Sequence, residues 1–516
     1  MNSAWLSETC SEGAISVIIL GPLEKSVISS ESKAFPKGVL WIAPPSENCA
    51  FPYPANVRCI DRSSKSKKLS DTIERFLRLD YDKPPTVKVS SLIAEDDENA
   101  YTPILNLVIS SIDSTQRARR TRSDTGVLRQ EQVFRNLAGY LCSRIPEKWR
   151  DSAEGNLAVV VGAGPSLDIS LSLIKEGFPK PLVVASDSAL SALKDMGIDP
   201  DFVVSIDPEK SHDSCTAIDH CPGIAILSTQ SHSSWSQRWG ESICYLSGRV
   251  MTEDWLAAKG IPKTSLLAVN NAGLAAMLFA EFLGPAAIML LGMDLAGGHD
   301  GSRYAENTGR SHVKINANLC HEIPGNHTET VSTPFLSDWS ETSESCARIA
   351  RGRNVINLND RGALLEGSIV IHPDQVNELR KTLHESLAPY KPDSSVFSER
   401  RGISGQGLEQ LLTKLATRCD EAWKGLRPIL AKQNTTKHEK LRYLQELLGN
   451  QDIATLIGDY SFAVMPEISQ GKQPTSEELD LRIKEIRRIL WLLEDAIVAA
   501  EPSEEFLTRL FTENFA

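Results

Sequence analysis

Between Leu157 and Asp207, short and continuously apolar runs alternate with amphipathic stretches: LAVVV, PSLDISLSLIKEG, PLVVASD, SALSALKDMG and DFVVSID. Apolar runs of strand length, separated by helical patterns, predict parallel strands buried in a sheet that is covered on both faces. Further strands are predicted at Gly223–Thr229, Ile243–Gly248, Ala286–Gly292 and Asn354–Asn359, with the domain closing near Pro373. The stretch Ala272–Leu295 is nearly long enough to span a bilayer. Glu281 and the Gly284-Pro285 break divide it into a buried helix, a turn and a strand.

Upstream, Ile15–Leu20, Gly38–Ala43 and Asn56–Asp61 read as strands, with a helix near Leu69–Leu79. The polar, basic stretch Ser114–Gly126 reads as a linker. Val127–Ile145 follows as a helix, with Val133, Leu137 and Leu141 at helical spacing. Beyond Ser394, three amphipathic segments carry apolar residues at i, i+3 and i+4 and predict a helical bundle. The expected fold is α/β: a small N-terminal α/β domain (1–115), a central Rossmann-like domain with a mostly parallel sheet (127–373), and a C-terminal helical domain (394–516).

Composition narrows the function. With 516 residues, 41% apolar and 24% charged, the chain is globular, and its net charge of −12 disfavours a protein that coats nucleic acid while leaving room for a local basic pocket for one phosphate or nucleotide. Ten cysteines without a C-x-x-C pair indicate neither a zinc site nor a disulfide framework, so reduced cytoplasmic thiols are expected. The opening residues lack a basic n-region, and no signal peptide or transmembrane segment is expected.

Candidate chemistry gathers at predicted strand ends. Gly162-Ala163-Gly164-Pro165-Ser166 follows a strand and opens a helix, where free N–H groups would face an anion. Leu167 stands where a dinucleotide fingerprint needs its third glycine, so NAD is disfavoured and a tight structural turn is the plain alternative. Asp187 and Ser188, Asp207, and Asp294 end three further strands, either as caps or as groups holding ribose, sugar hydroxyls or Mg²⁺. Asn270-Asn271 precedes the buried helix, either capping it or offering an amide to the pocket. The loop after Asp294 carries His299, Tyr304 and His312, read either as inert exposed loop residues or as a lid that supplies one acid or base.

Taken together, GAGPSL, ASDSAL, GIDPDFVVSID and GMDLA resemble the central domain of the motility accessory factor (Maf) flagellin glycosyltransferases. That domain is shared with archaeal 6-hydroxymethylpterin pyrophosphokinase-like (MptE-like) proteins and is distantly similar to sialyltransferases. The resemblance continues through Pro324–Leu336 and Asn354–Ser368, and the helix carrying Gln130, Arg135 and Asn136 is similar to the one preceding this domain in Maf proteins. Tyr304 stands where the family tends to carry a His, and Arg361 replaces the first of a glycine pair.

The resemblance implies transfer of a nonulosonic (sialic-acid-like) sugar from a CMP-activated donor to Ser or Thr of flagellin or another surface protein. The Gly162–Ser166 turn would receive the phosphate. Asp187, Asn270 and Asp294 would position ribose, base or sugar, and Tyr304, His299 or His312 would assist the acceptor hydroxyl. No cofactor is required by this chemistry, with Mg²⁺ as the one candidate. The alternatives are a Mg²⁺-dependent pyrophosphokinase acting on a pterin alcohol, and a non-catalytic nucleotide-sugar-binding protein.

Overall fold

The computed structural model describes residues 4–9, 13–45, 53–77, 84–175, 178–217, 219–298, 301–314, 320–432, 435–469, 474–500 and 503. The chain forms two compact units, Met1–Thr121 and Arg122–Ala516. In the first, strands β1 (Trp5–Thr9), β2 (Ser16–Leu20), β3 (Gly38–Ala43), β4 (Val57–Asp61) and β5 (Thr86–Ser90) make one sheet in the order β1-β5-β2-β3-β4. All its pairings are parallel except β1 with β5. β2 and β3 are wholly buried, as expected for central strands. The stretch Ser114–Gly126 is not a linker up to Asp124: it continues the helix Glu95–Asp124. Its Gln, Arg and Ala residues are good helix formers, and neither glycine nor proline interrupts them before Gly126.

The second unit is built on an eight-stranded, all-parallel sheet: β6 (Leu157–Val161), β7 (Leu182–Ser186), β8 (Phe202–Ser205), β9 (Ile224–Leu227), β10 (Ile243–Tyr245), β11 (Ala287–Leu291), β14 (Asn354–Asn357) and β15 (Ile369–Val370). A separate hairpin pairs β12 (His321–Pro324) with β13 (Thr330–Thr333). The large sheet runs β10-β9-β8-β7-β6-β11-β14-β15. Strand order therefore reverses between β6 and β11, and that switch point is where open α/β sheets bind ligands, beyond the strands' carboxyl ends.

The sheet's faces are covered as the apolar pattern demands. On one face, the helix Ala272–Phe282, apolar except for Glu281, packs over Val160, Val184, Val204, Ile288 and Leu290. Below it, Trp149, Phe202, Phe279 and Phe397 meet with centroids 5.0–6.4 Å apart, mostly edge to face. The segment Ala272–Leu295 is thus a buried helix followed by a strand, and no helix among the described residues is long and apolar enough to cross a membrane. On the other face, Val203, Ala225, Leu227 and Tyr245 of β8–β10 share one core with the helices Gly126–Cys142, Gly405–Ala431, Lys437–Gly449 and Ser476–Ala500.

That shared core makes the helical tail part of the Rossmann-like unit's interior. Cutting the chain before Ser394 would strip the helix Ser476–Ala500 from the helix Gly126–Cys142, whose Val133, Phe134, Leu137 and Leu141 are buried in the core the two share. Each large apolar side chain is worth roughly 1.5–3 kcal/mol of burial. A fragment spanning 122–393 is expected to show no cooperative thermal transition and to bind a hydrophobic dye strongly. A cooperative melt of that fragment near the temperature of the intact chain would show that the tail is an independent domain.

Candidate functional site

The carboxyl ends of β6, β7 and β11 surround a cavity of about 140 Å³ at the switch point. Gly162, Gly164, Asp187, Ser188, Asp294 and Tyr304 all line it. The sequence places them far apart; parallel strands bring their ends to one edge.

The turn after β6 is held by packing. A Cβ at Gly162 would lie 2.3 Å from the Gly292 carbonyl oxygen, and one at Gly164 would lie 2.2 Å from Asp294 Oδ2. Both glycines are therefore demanded by the close approach of two neighbouring strand ends. The amides expected to receive a phosphate are engaged within the protein. Gly162 N–H donates to the Leu291 carbonyl, Gly164 N–H to the Gly292 carbonyl, and Ser166 N–H to Asp294 Oδ2 (2.9 Å). Pro165 and Ser166 lie buried beneath the cavity, outside its lining. The expected helix after them is one short α-turn, Leu167–Ser170, followed by a 3₁₀ turn, where Ser170 Oγ donates back to the Ser166 carbonyl.

Asp294 is almost wholly buried, and its Oδ1 has no hydrogen-bond partner. Burial pushes its carboxyl up to about 7, against the lowering effect of the Ser166 hydrogen bonds. The next residue, Leu295, takes a left-handed φ of 50°, a conformation that costs a β-carbon-bearing residue on the order of 1 kcal/mol or more. Thr333 Oγ1 donates to the Leu295 carbonyl at 2.6 Å and holds it there. Two segments flagged by the sequence thus converge on Asp294. From Asn354–Ser368, Asn359 accepts from Ser166 Oγ and Ala363 N–H donates to the Asp294 carbonyl; from Pro324–Leu336, Asn326 Nδ2 donates to the Arg361 carbonyl.

Asp187 is fully buried and accepts from Ser188 N–H, Ser188 Oγ, Ser205 Oγ and, at 3.4 Å, Lys210 Nζ. Burial works against the Lys210 ammonium and is the largest single effect, but Asp187 together with Tyr304, Asp207 and Cys215 outweighs it, and the pKa lies above the usual lysine value. Lys210 and Arg303 supply the cavity's cations, and sequence reasoning singled out neither. The signal for Lys210 was its place three residues beyond the strand-end Asp207. Arg303 stacks its guanidinium 4.7 Å from the Phe335 ring, which also lines the cavity.

Other expected site residues fall elsewhere. Asp207 Oδ1 accepts from Glu209 N–H and caps the turn there. Asn270 is exposed and donates to Glu341; its neighbour Asn271 lines the cavity and caps the following helix, accepting from Leu274 N–H. His312 lines a separate cavity. His299 lies outside the described residues. As a Mg²⁺ site the carboxylates do not fit: Asp187 is consumed by four donors, Asp207 accepts from Glu209 N–H and does not line the cavity, and no three His, Cys, Asp or Glu side chains converge among the described residues.

Residues 131–300, the part of the chain holding β6–β11, are similar to the family model described as 6-hydroxymethylpterin diphosphokinase MptE-like. No curated protein matches the chain. A solved structure of a Maf glycosyltransferase from Magnetospirillum magneticum AMB-1 is similar at 14% identity and a TM-score of 0.42, covering 97% of this chain and 77% of that one.

A carboxyl raised by burial favours folding fully at acid pH and less as pH climbs. Asp294 takes up its proton more readily folded than unfolded, so its contribution is complete below about pH 4 and is lost as pH rises through about 7. The loss is on the order of 2–4 kcal/mol at ~1.4 kcal/mol per pH unit. Asp294→Asn keeps an acceptor for Ser166 N–H and removes the titration, so its melting temperature should gain on wild type between pH 4 and 7.5. Glu253, also pushed up to about 7 by burial, titrates in both proteins and cancels in the difference. Parallel melting curves across that range would remove the assignment. Gly164→Ala is expected to cost roughly 1–3 kcal/mol, read by urea denaturation, because its Cβ collides with Asp294 Oδ2.

Proposed function

We propose that this chain is a glycosyltransferase that moves a nonulosonic sugar from its CMP-activated donor to a Ser or Thr hydroxyl of flagellin or another surface protein. The observation that carries this reading is the half-buried Lys210 ammonium, held against Asp187 at the switch point and facing the cavity with Arg303. A CMP donor presents two anionic centres, the phosphate and the sugar's own carboxylate. Fixed cations meet that charge in a site whose carboxylates do not fit Mg²⁺. The motif resemblance to Maf proteins and the similarity to the MptE-like family model over 131–300 support the same reading.

In this reading the bond from the anomeric carbon to the phosphate oxygen breaks, and its electron pair leaves with CMP. Lys210 and Arg303 stabilise that growing charge, which is where fixed electrostatics accelerates most. The acceptor oxygen forms the new bond to the anomeric carbon and gives its proton to a base. Asp294, titrating near neutrality with an unpartnered oxygen, suits that role, and Tyr304 across the cavity orients the acceptor.

The family model's description favours a second reading, diphosphate transfer from ATP to a pterin alcohol. Product identity separates the two. Purified protein should release CMP from CMP-N-acetylneuraminic acid or a related nonulosonic donor in the presence of flagellin, and should be stabilised thermally by CMP. Release of AMP from ATP, with Mg²⁺ and 6-hydroxymethylpterin and with no CMP release, would replace the first reading by the second.

Lys210→Met removes the phosphate's cation but strands the buried Asp187 carboxylate, so the comparison is best made in Asp187→Asn/Lys210→Met. That double variant should stay folded and bind CMP about tenfold or more weakly, the worth of one charged hydrogen bond. Unchanged CMP affinity by calorimetry would take Lys210 out of the donor site. Asp294→Asn should leave CMP affinity near wild type and slow turnover by about 10²–10⁴-fold.

A further inference from the structure

Beside the first cavity lies a second and larger one, of about 430 Å³, which nothing above assigns. Resting on the donor reading, we propose that it is the subsite for the glycosyl half of the donor, recognising an acidic, polyhydroxylated sugar through Arg310, Glu209 and Thr216.

Three neighbouring places along the chain put one residue in each cavity. Lys210 faces the first and Glu209 the second; Ser188 the first and Ser191 the second; Tyr304 the first and Arg310 the second. The Arg310 guanidinium lies 5.9 Å from the Tyr304 ring, so one loop walls both spaces. That loop is seated firmly: Gly309 approaches the Ser214 carbonyl so closely that a Cβ would lie 2.9 Å from its oxygen. The first cavity, at about 140 Å³, is small beside the 300–1,000 Å³ typical of ligand sites. A phosphate on Lys210 leaves the attached sugar needing room, and the second cavity offers it past the Glu209–Lys210 step.

The chemistry of the second space suits an acidic sugar. Of the charged side chains that line it, Asp213 also contacts His212 (3.1 Å) and Arg238 (3.8 Å), Glu209 supplies a second carboxylate, and Arg310 the guanidinium. Arg310 presents the planar fork that matches a carboxylate. Glu209 accepts from hydroxyls. The Thr216 hydroxyl is buried and has no hydrogen-bond partner, a donor and acceptor awaiting one. Cys215 is a buried neutral thiol and contributes only shape.

Calorimetry on the full chain with three probes (CMP, CMP-N-acetylneuraminic acid and free N-acetylneuraminic acid) tests this. Wild type should bind the nucleotide sugar more tightly than CMP. Arg310→Gln should keep CMP affinity within about twofold and lose about tenfold or more for the nucleotide sugar. Thr216→Val should lose severalfold for the nucleotide sugar alone. Equal losses for CMP and the nucleotide sugar, or none in either variant, would overturn the subsite while leaving the donor reading intact. Should Arg310→Gln fail to fold, Glu209→Gln and Thr216→Val decide by the same ratio. Wild type that binds CMP and gains nothing from the attached sugar also overturns the subsite. Binding of none of the probes overturns the donor reading itself.

Discussion

The site depends on one close approach. The turn after β6 and the turn after β11 touch backbone to backbone, with Gly162 and Gly164 against Gly292 and the Asp294 carboxyl. β6 and β11 are adjacent in the sheet and 126 or more residues apart in the chain, and the strand order reverses between them. A side chain on either glycine would part the two strand ends. With that contact made, Asp294 is enclosed on the cavity floor, Ser166 is pinned beneath it, and Asn359 closes the network through the Ser166 hydroxyl. The contact thus creates the buried carboxyl whose proton affinity lies near neutrality.

Charge is distributed around that floor with consequences for chemistry. Two strand-end carboxylates reach the cavity from the strands on either side of β6, yet they are not equivalent. Asp187 is surrounded by donors and a lysine, so it serves as the buried counter-ion to the half-buried Lys210. Asp294 has one backbone donor, one bare oxygen and little solvent, so it favours the proton. Environments that separate two like groups in this way give one a fixed charge and the other a proton-transfer role.

Much of this was legible in the sequence, and the limits are physical. Strands buried on both faces announce themselves by continuous apolarity, so β6–β11 and the helix over them were readable, as was the gathering of Asp187 and Asp294 at one edge. The strands β1 and β5 and the hairpin β12–β13 were not, because short polar or alternating runs such as TVKVS and HEIP take their structure from a partner strand. The glycine turn was recognisable as a tight turn, but local reasoning offered its amides to a ligand. Only the fold shows that Gly292 and Asp294 occupy them. Lys210, Arg303 and Asn359 carry no motif of their own, and their roles appear once distant strand ends are neighbours.

The helical tail reaches the site without lining its cavity. Its Asp459 sits 3.5 Å from Arg129 and its backbone N–H donates to Gln130, both on the helix Gly126–Cys142. That helix grips the loop after β9: Asn136 donates to the Thr229 and Ser231 carbonyls, Arg129 to Gln230, and Gln132 accepts from Ser233 N–H. The loop in turn holds the end of β8, where Ser231 Oγ donates to the Ser205 carbonyl and His232 N–H to that of Asp207. Three residues on stands Lys210, whose carbonyl is fixed by the Trp235 indole. Apart from the Arg129–Asp459 ion pair, these contacts are directional hydrogen bonds between buried or half-buried groups, where an unmade partner costs most. The polar residues of the helix that precedes the Rossmann-like strands are therefore buried because they carry this chain of contacts. The position of Lys210 depends on the tail being folded against the sheet.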